Sequence, residues 1–456
     1  MRSVFTSVGV VLTVLFFRGA ATQSTGDIEV PSNLTEPRKD NMLAAPYLDD
    51  IPRNSTLNIS NIQCDILVGM RKKLELFYFF QIDDPKLFKT VLHTTIISWI
   101  TPTSAMLSTS TQPQVAINIA FSQTGLSTLG ITDNLGDTPF TKAQVTDAKF
   151  LGDPGIGDWK KVFTVPDKLH GVFLIASDDQ SLIDTAVNFL ESSFSTSMHN
   201  LYKLQGNIRP PPFEGHEMFG YLDGIGQPAI AGFNTVVFPG QLLISAGVIL
   251  VGEPGDLVSR PSWAHDGSFL AFRELQQFVP EFDKFIAATA PSVPGFTSAQ
   301  AEELFGARMV GRWKSGAPVD RTPMVDDPAM AADPNQNNDF DFLHVGFNPV
   351  DDQSHCPFHA HIRKTRPRSD LIAPRNTIMR AGIPYGPEVT DQEASSSVSD
   401  PKLERGLAFV SYQSAISDGF RFIQNAWAND PNFVGGKNVL LDTTQFSVKP
   451  TAAHDS

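Results

Sequence analysis

Two stretches of the sequence hold residues whose types and spacing can do chemistry. In His355-Cys-Pro-Phe-His-Ala-His-Ile-Arg-Lys-Thr-Arg-Pro-Arg368, three of the chain's ten histidines fall within seven residues. Histidine is the commonest metal ligand and also an axial ligand of haem iron. On residue types alone, His355, His359 and His361 read in three ways. They are a zinc or copper set, with His359 and His361 on one face if the stretch is a strand. They supply one axial ligand, with the neighbouring arginines left for carboxylates. Or the stretch is a solvated basic loop. In Gly215-His-Glu-Met-Phe-Gly-Tyr-Leu-Asp-Gly-Ile-Gly-Gln-Pro228, four glycines frame the acid Asp223. Glycine lets backbone turn sharply or approach a ligand closely. Asp223 is therefore either a general base held in a loop or a turn residue capping an amide. A nucleophile elbow, a phosphate-binding P-loop, an H-E-x-x-H helix and a C-x-x-C-H haem attachment are all missing.

Composition narrows the classes. The 456 residues are 41 % hydrophobic and 18 % charged, enough for a large core. A net charge of −14 argues against phosphate-backbone binding and against docking on anionic lipid, so neither a nucleic-acid nor a membrane partner is expected. The two cysteines, Cys64 and Cys356, exclude a disulfide scaffold and an all-thiolate iron–sulfur cluster, and leave one disulfide possible. Phenylalanine is abundant, 34 against 6 Tyr and 5 Trp.

The elements that must position these residues form a repeated order. Residues 1–21 read as a secretion signal, with Arg2, an apolar run over 8–17 and the small residues Gly19-Ala-Ala21, so an extracellular protein is expected. Residues 22–62 read as a propeptide or N-terminal arm carrying three glycosylation sequons, at Asn33, Asn54 and Asn58. Strands are expected at 64–70, 74–82, 115–121 and 172–176, with helices starting at Asp84-Pro85 and covering 182–190. A second unit repeats the pattern, with strands at 268–273, 340–347 and 407–412 and helices over 275–286 and 416–427. Residues 289–339 and 386–405 read as irregular surface. Two such units, 63–215 and 216–456, predict an α+β fold of two ferredoxin-like halves with antiparallel sheets.

Together these segments resemble a dye-decolorising peroxidase, a haem peroxidase family, and within it the secreted fungal branch. The likeness rests on Gly220-Tyr-Leu-Asp-Gly224, His361-Ile-Arg-Lys364, Ile378-Met-Arg-Ala-Gly-Ile-Pro-Tyr-Gly386 and Leu407-Ala-Phe409, in that order, and runs from about Gln63 to the C-terminus. It implies a dimeric α+β barrel type of fold enclosing haem, with one haem b per chain. It implies that His361 ligates the iron, with His359 the rival, and that a carboxylate supports the ligand from behind. Asp223 would take the proton of bound hydrogen peroxide. Arg380 would stabilise charge as the O–O bond breaks, and Leu407 and Phe409 would shape the pocket. An arginine of the 363–368 cluster, with Arg363 the candidate, would hold the cofactor's carboxylates. Tyr385 and Trp427 would carry electrons to the surface for bulky dyes and phenols. A carboxylate base works in acid, where a histidine is protonated, so an acidic optimum is expected. The chain would be a monomer or homodimer. The same fold without Asp223 and Arg380 chemistry would be a non-catalytic haem-binding protein.

Overall fold

The computed structural model of the chain describes residues 5–14, 31, 34, 55–108 and 112–437. Its frame is a barrel built from β1 (Phe5–Val14), β2 (Leu74–Ile82), β3 (Val115–Phe121), β4 (Gly171–Ser177), β5 (Met198–Asn207), β6 (Ser268–Gln277), β7 (Met379–Arg380), β8 (Ile383–Tyr385) and β9 (Gly406–Gln413). The order β5-β2-β4-β3-β1-β6-β9-β8 returns to β5 through Tyr385↔Gly206, and every pairing is antiparallel. Closure leaves no free sheet edge around the ring. The short β7 adds to β9 through Ser411↔Arg380.

Alternation along each strand divides the core in two. Phe77, Phe79, Ala116, Ala120, Leu174 and Ala176 pack inside the barrel, whereas Tyr78, Phe80, Ile117, Ile119, Phe173 and Ile175 pack outside it against helices. Helix α1 (Pro85–Val91) starts where Asp84 accepts from the amides of Lys86 and Leu87, with Pro85 at its first position. Helix α2 (Gln180–Phe194) lays Ile183, Ala186, Val187 and Leu190 on the outer face. The same rule governs β9. Ala408, Val410 and Tyr412 point into the barrel, which leaves Leu407 and Phe409 on the outer face.

Several expected elements differ. Cys64–Leu67 is one helical turn rather than a strand. Residues 340–347 are irregular, because Phe342 takes φ 70°, which extended backbone does not allow. Strand β6 runs on to Gln277, so the next helix, α3 (Val279–Thr289), begins later than its apolar spacing implied. The stretch expected to be irregular holds α4 (Ser298–Val310), entered through a capping box of Thr297 and Gln300. Strand β5 was not anticipated at all. Cys64 and Cys356 are both free and buried, in different clusters. Asn33 and Asn54 lie outside the described residues, and Asn58 is exposed. The apolar run of the expected signal overlaps β1, which pairs with β6 along its length and with β3 at Thr13 and Val14. Among the described residues no helix is long and apolar enough to cross a membrane.

Candidate active site

The outer face of β9 and β7 forms one wall of the site. Leu407 and Phe409 are half-buried there, and Arg380 projects from the neighbouring two-residue strand β7. The glycine loop brings Asp223 to the same place. Its amide donates to the Gly215 carbonyl at 2.9 Å. Gly224, at φ 80°, reverses the chain at once, so that its own amide donates to Asp223 Oδ1 at 2.6 Å. Arg380 Nη1 lies 3.2 Å from the same oxygen, and Arg380 Nη2 donates to the Ile225 carbonyl at 2.8 Å. Gln227 clamps the Arg380 backbone from both sides, accepting from its amide at 3.1 Å and donating to its carbonyl at 2.5 Å. The two side chains remain 31 % (Arg380) and 36 % (Asp223) exposed, so both still present polar atoms to a small molecule.

His361 opens α5 (His361–Thr365) on the facing side. Its side chain keeps exposed surface and feels the charges of both Arg380 and Asp223, so the three groups share one region. Burial, then the Arg380 charge, push its pKa down, which keeps the imidazole neutral with a lone pair to offer a metal. Among the described residues no carboxylate is hydrogen-bonded to the ring. This donor set, an imidazole that can ligate iron near a carboxylate–guanidinium pair, fits an iron cofactor that His361 would hold.

The expectation for Arg363 does not hold. Its Nε and Nη2 pair with both oxygens of Asp370 at 2.6 and 3.1 Å, and its Nη1 donates to the carbonyls of Asp352 and Cys356. With four of its five N–H donors engaged and 1 % of its side chain exposed, it has no open face for a cofactor. Arg368 is likewise taken up by the carbonyls of Gly240, Asn338 and Phe340. Arg366 is different. Its guanidinium is enclosed, burial alone lowers its pKa, and no carboxylate pairs with it among the described residues. It is the arginine whose surroundings fit a cofactor carboxylate.

The two expected surface carriers are not at the surface. Tyr385 points into the barrel, 4 % exposed, with its hydroxyl unpartnered. Trp427, 3 % exposed, stacks on Phe433 with ring centroids 5.3 Å apart. Among the described Tyr and Trp residues only Trp99, Tyr202 and Trp263 are partly open. Tyr202, which the sequence did not single out, donates to Glu274 at 3.0 Å and lies near Tyr385. A phenol with a carboxylate beside it can lose its proton as it is oxidised. His355, His359 and His361 do not gather as a metal set. His355 instead stacks on His344.

Comparison with known proteins agrees with this geometry. Residues 61–210 match the DyP dimeric alpha+beta barrel domain, and residues 216–444 match the Dyp-type peroxidase C-terminal domain. A dye-decolorizing peroxidase of Exidia glandulosa is 51 % identical, covering 90 % of this chain and 82 % of the relative. Peroxidase 2 of Mycetinis scorodonius is 49 % identical over 92 % of this chain and 85 % of its own. The crystal structure of a decolorizing peroxidase from Auricularia auricula-judae superposes with a TM-score of 0.81 at 52 % identity, covering 84 % of this chain and 86 % of that one. The fold and site thus define a haem peroxidase of the α+β barrel class. The chain belongs to the dye-decolorising peroxidase family, in its fungal branch, and acts on dyes with peroxide as oxidant.

Proposed function

We propose that this enzyme is secreted, holds one haem b per chain on His361, and uses Asp223 and Arg380 to break hydrogen peroxide at acid pH while oxidising dyes and phenols. The observation that carries this reading is the 3.2 Å contact of Arg380 Nη1 with Asp223 Oδ1, in the neighbourhood of the His361 imidazole that both charges act on. Bound haem supplies the redox chemistry that reduces peroxide and takes electrons from the aromatic donor. The Asp223 carboxylate accepts the proton of the entering peroxide and returns it to the departing oxygen. The Arg380 guanidinium, fixed by the Ile225 carbonyl and by Gln227, stabilises the negative charge that develops between those events. Leu407 and Phe409 narrow the site to small molecules. Arg366 holds a cofactor carboxylate. A non-catalytic haem carrier would need neither Asp223 nor Arg380 so placed.

Stopped-flow absorbance after mixing with peroxide tests the assignment. Asp223→Asn is expected to slow the peroxide reaction by about 10²–10⁴-fold in acid, the usual worth of a positioned base. An unchanged rate would overturn the role.

Secretion rests on the charge and apolar pattern of residues 1–21. Cleavage there would leave the facing edges of β3 and β6 unpaired, so the mature barrel would have to close over that gap. N-terminal sequencing of the protein from culture medium checks this. A mature chain starting beyond Ala21 is expected, and a chain retaining residues 1–21 would contradict it.

A further inference from the structure

A second histidine cluster lies apart from the peroxide site, and nothing in the peroxidase reaction uses it. His344, Asp352 and His355 each place one ligand-capable atom within 4.8 Å of the others. His344 Nδ1 donates to Asp352 Oδ2 at 2.6 Å, and His344 Nε2 lies 3.4 Å from Asp320 Oδ2. The His355 ring stacks on His344 with centroids 3.7 Å apart, and Phe347 packs edge-on against both. Asp320 and Asp352 are only 3 % and 2 % exposed. The remaining oxygen of Asp320, Oδ1, is buried with no hydrogen-bond partner.

Charge makes this cluster unusual. The groups facing it are Asp320, Asp352, Arg308 and Arg363. Arg363 is paired with Asp370, and Arg308 donates to the backbone carbonyls of Gln353, Ser354 and His355. Two buried carboxylates therefore look to the imidazoles for positive charge. Two stacked imidazoles cannot both carry it without repelling each other. Burial, then the neighbouring His344, push the His355 pKa down, and the ring keeps a ligand-capable atom within reach of His344 and Asp352. An orphaned buried oxygen, a second carboxylate and two stacked imidazoles are the nitrogen and oxygen donors that borderline divalent ions take.

We propose that His344, His355, Asp352 and Asp320 form a binding site for one divalent cation of the zinc class, separate from the haem ligand His361. The cation displaces the proton that His344 shares with Asp352, so binding releases a proton and weakens as the histidines protonate in acid. Bound there, it ties the loop that leads into α5 to the Asp320 turn. It thereby steadies the approach to His361 without touching the haem.

Zinc is the probe. The haem-loaded enzyme, stripped of loose metal with a chelator, is titrated with Zn2+ near about pH 7.5 and again near about pH 5, where histidine carries its proton. Heat of binding and the zinc retained after gel filtration are the readouts. One Zn2+ per chain is expected at the higher pH, with weaker binding at the lower. His344→Ala and the near-isosteric Asp320→Asn should each weaken binding about tenfold or more. His265→Ala, in the separate group of Glu253, His265 and Asp266, should leave binding unchanged. The proposal is overturned if no zinc binds, if binding survives Asp320→Asn, or if only His265→Ala abolishes it. Asp320→Asn keeps the test valid should His344→Ala fail to fold.

Discussion

Asp223 and Arg380 stand 157 positions apart in sequence, and backbone rather than a further ion pair holds them together. The Gly224 amide, the Ile225 carbonyl and the Gln227 side chain all belong to the glycine loop, so loop and arginine move as one. This explains which residue-scale features were legible. Asp223, His361 and Arg380 sit in short local motifs that the sequence displays directly. Which arginine is left without a carboxylate partner is not local. It depends on Asp370 reaching back to Arg363, and on no acid among the described residues reaching Arg366, and neither fact has a sequence period. The two arginines should therefore behave oppositely. Arg363→Ala leaves the buried Asp370 carboxylate with Lys437, 2.9 Å from its Oδ1, as the remaining ion pair and strips its other hydrogen bonds, and is expected to cost about 2–3 kcal/mol in denaturant unfolding of the haem-free protein. Arg366→Ala is expected to leave that unfolding nearly unchanged while speeding loss of haem to a competing acceptor. Haem retention equal to the parent enzyme in Arg366→Ala would refute the assignment.

Among the elements, long apolar strands and capped helices were readable, and exceptions have physical causes. Strand β5 carries His199, Asn200, Lys203, Gln205 and Asn207, so its alternation is blurred, and only its pairing to β2 reveals it. The aromatic alternation of 340–347 imitates a strand that Phe342 interrupts. Tyr385 lies inside the barrel rather than at the surface; a three-residue strand shows no period, and only its register places the ring there. The segment before β9 has its own anchor. Arg405, at the root of the strand bearing Leu407 and Phe409, makes a two-pronged pair with Glu393 at 2.9 and 2.8 Å. The hydrogen bonds from Arg405 pull the Glu393 pKa down to about 2. A carboxyl depressed below its ordinary value of about 4.3 stabilises the fold above that value and loses the effect as pH falls through about 2. Glu393→Gln should thus lower stability by about 2 kcal/mol near neutrality, with the deficit fading below pH about 4. Urea melts across pH check this. A deficit that grows in acid would contradict it.

At the scale of the molecule, two halves share one closed sheet, and the site belongs to the outer face of the second half alone. The sequence reads as a repeated order of apolar runs, but 340–347 does not form the strand that such a repeat calls for. The closure is not legible there, because β8 meets β5 through a single pair and β1 lies far outside the repeat. Phenylalanine fills much of this frame. Phe80, Phe88, Phe121, Phe173 and Phe194 pack ring against ring outside the first half, apolar area without an easily oxidised hydroxyl or indole. The central claim is that His361 holds haem opposite Asp223 and Arg380, and titrating haem into the haem-free protein tests it most directly. The parent chain should develop one Soret band's worth of haem per chain with a five-coordinate spectrum that changes on adding peroxide. His361→Ala should lose that spectrum and regain it with external imidazole. An unchanged spectrum and unchanged peroxide response in His361→Ala would place the iron elsewhere.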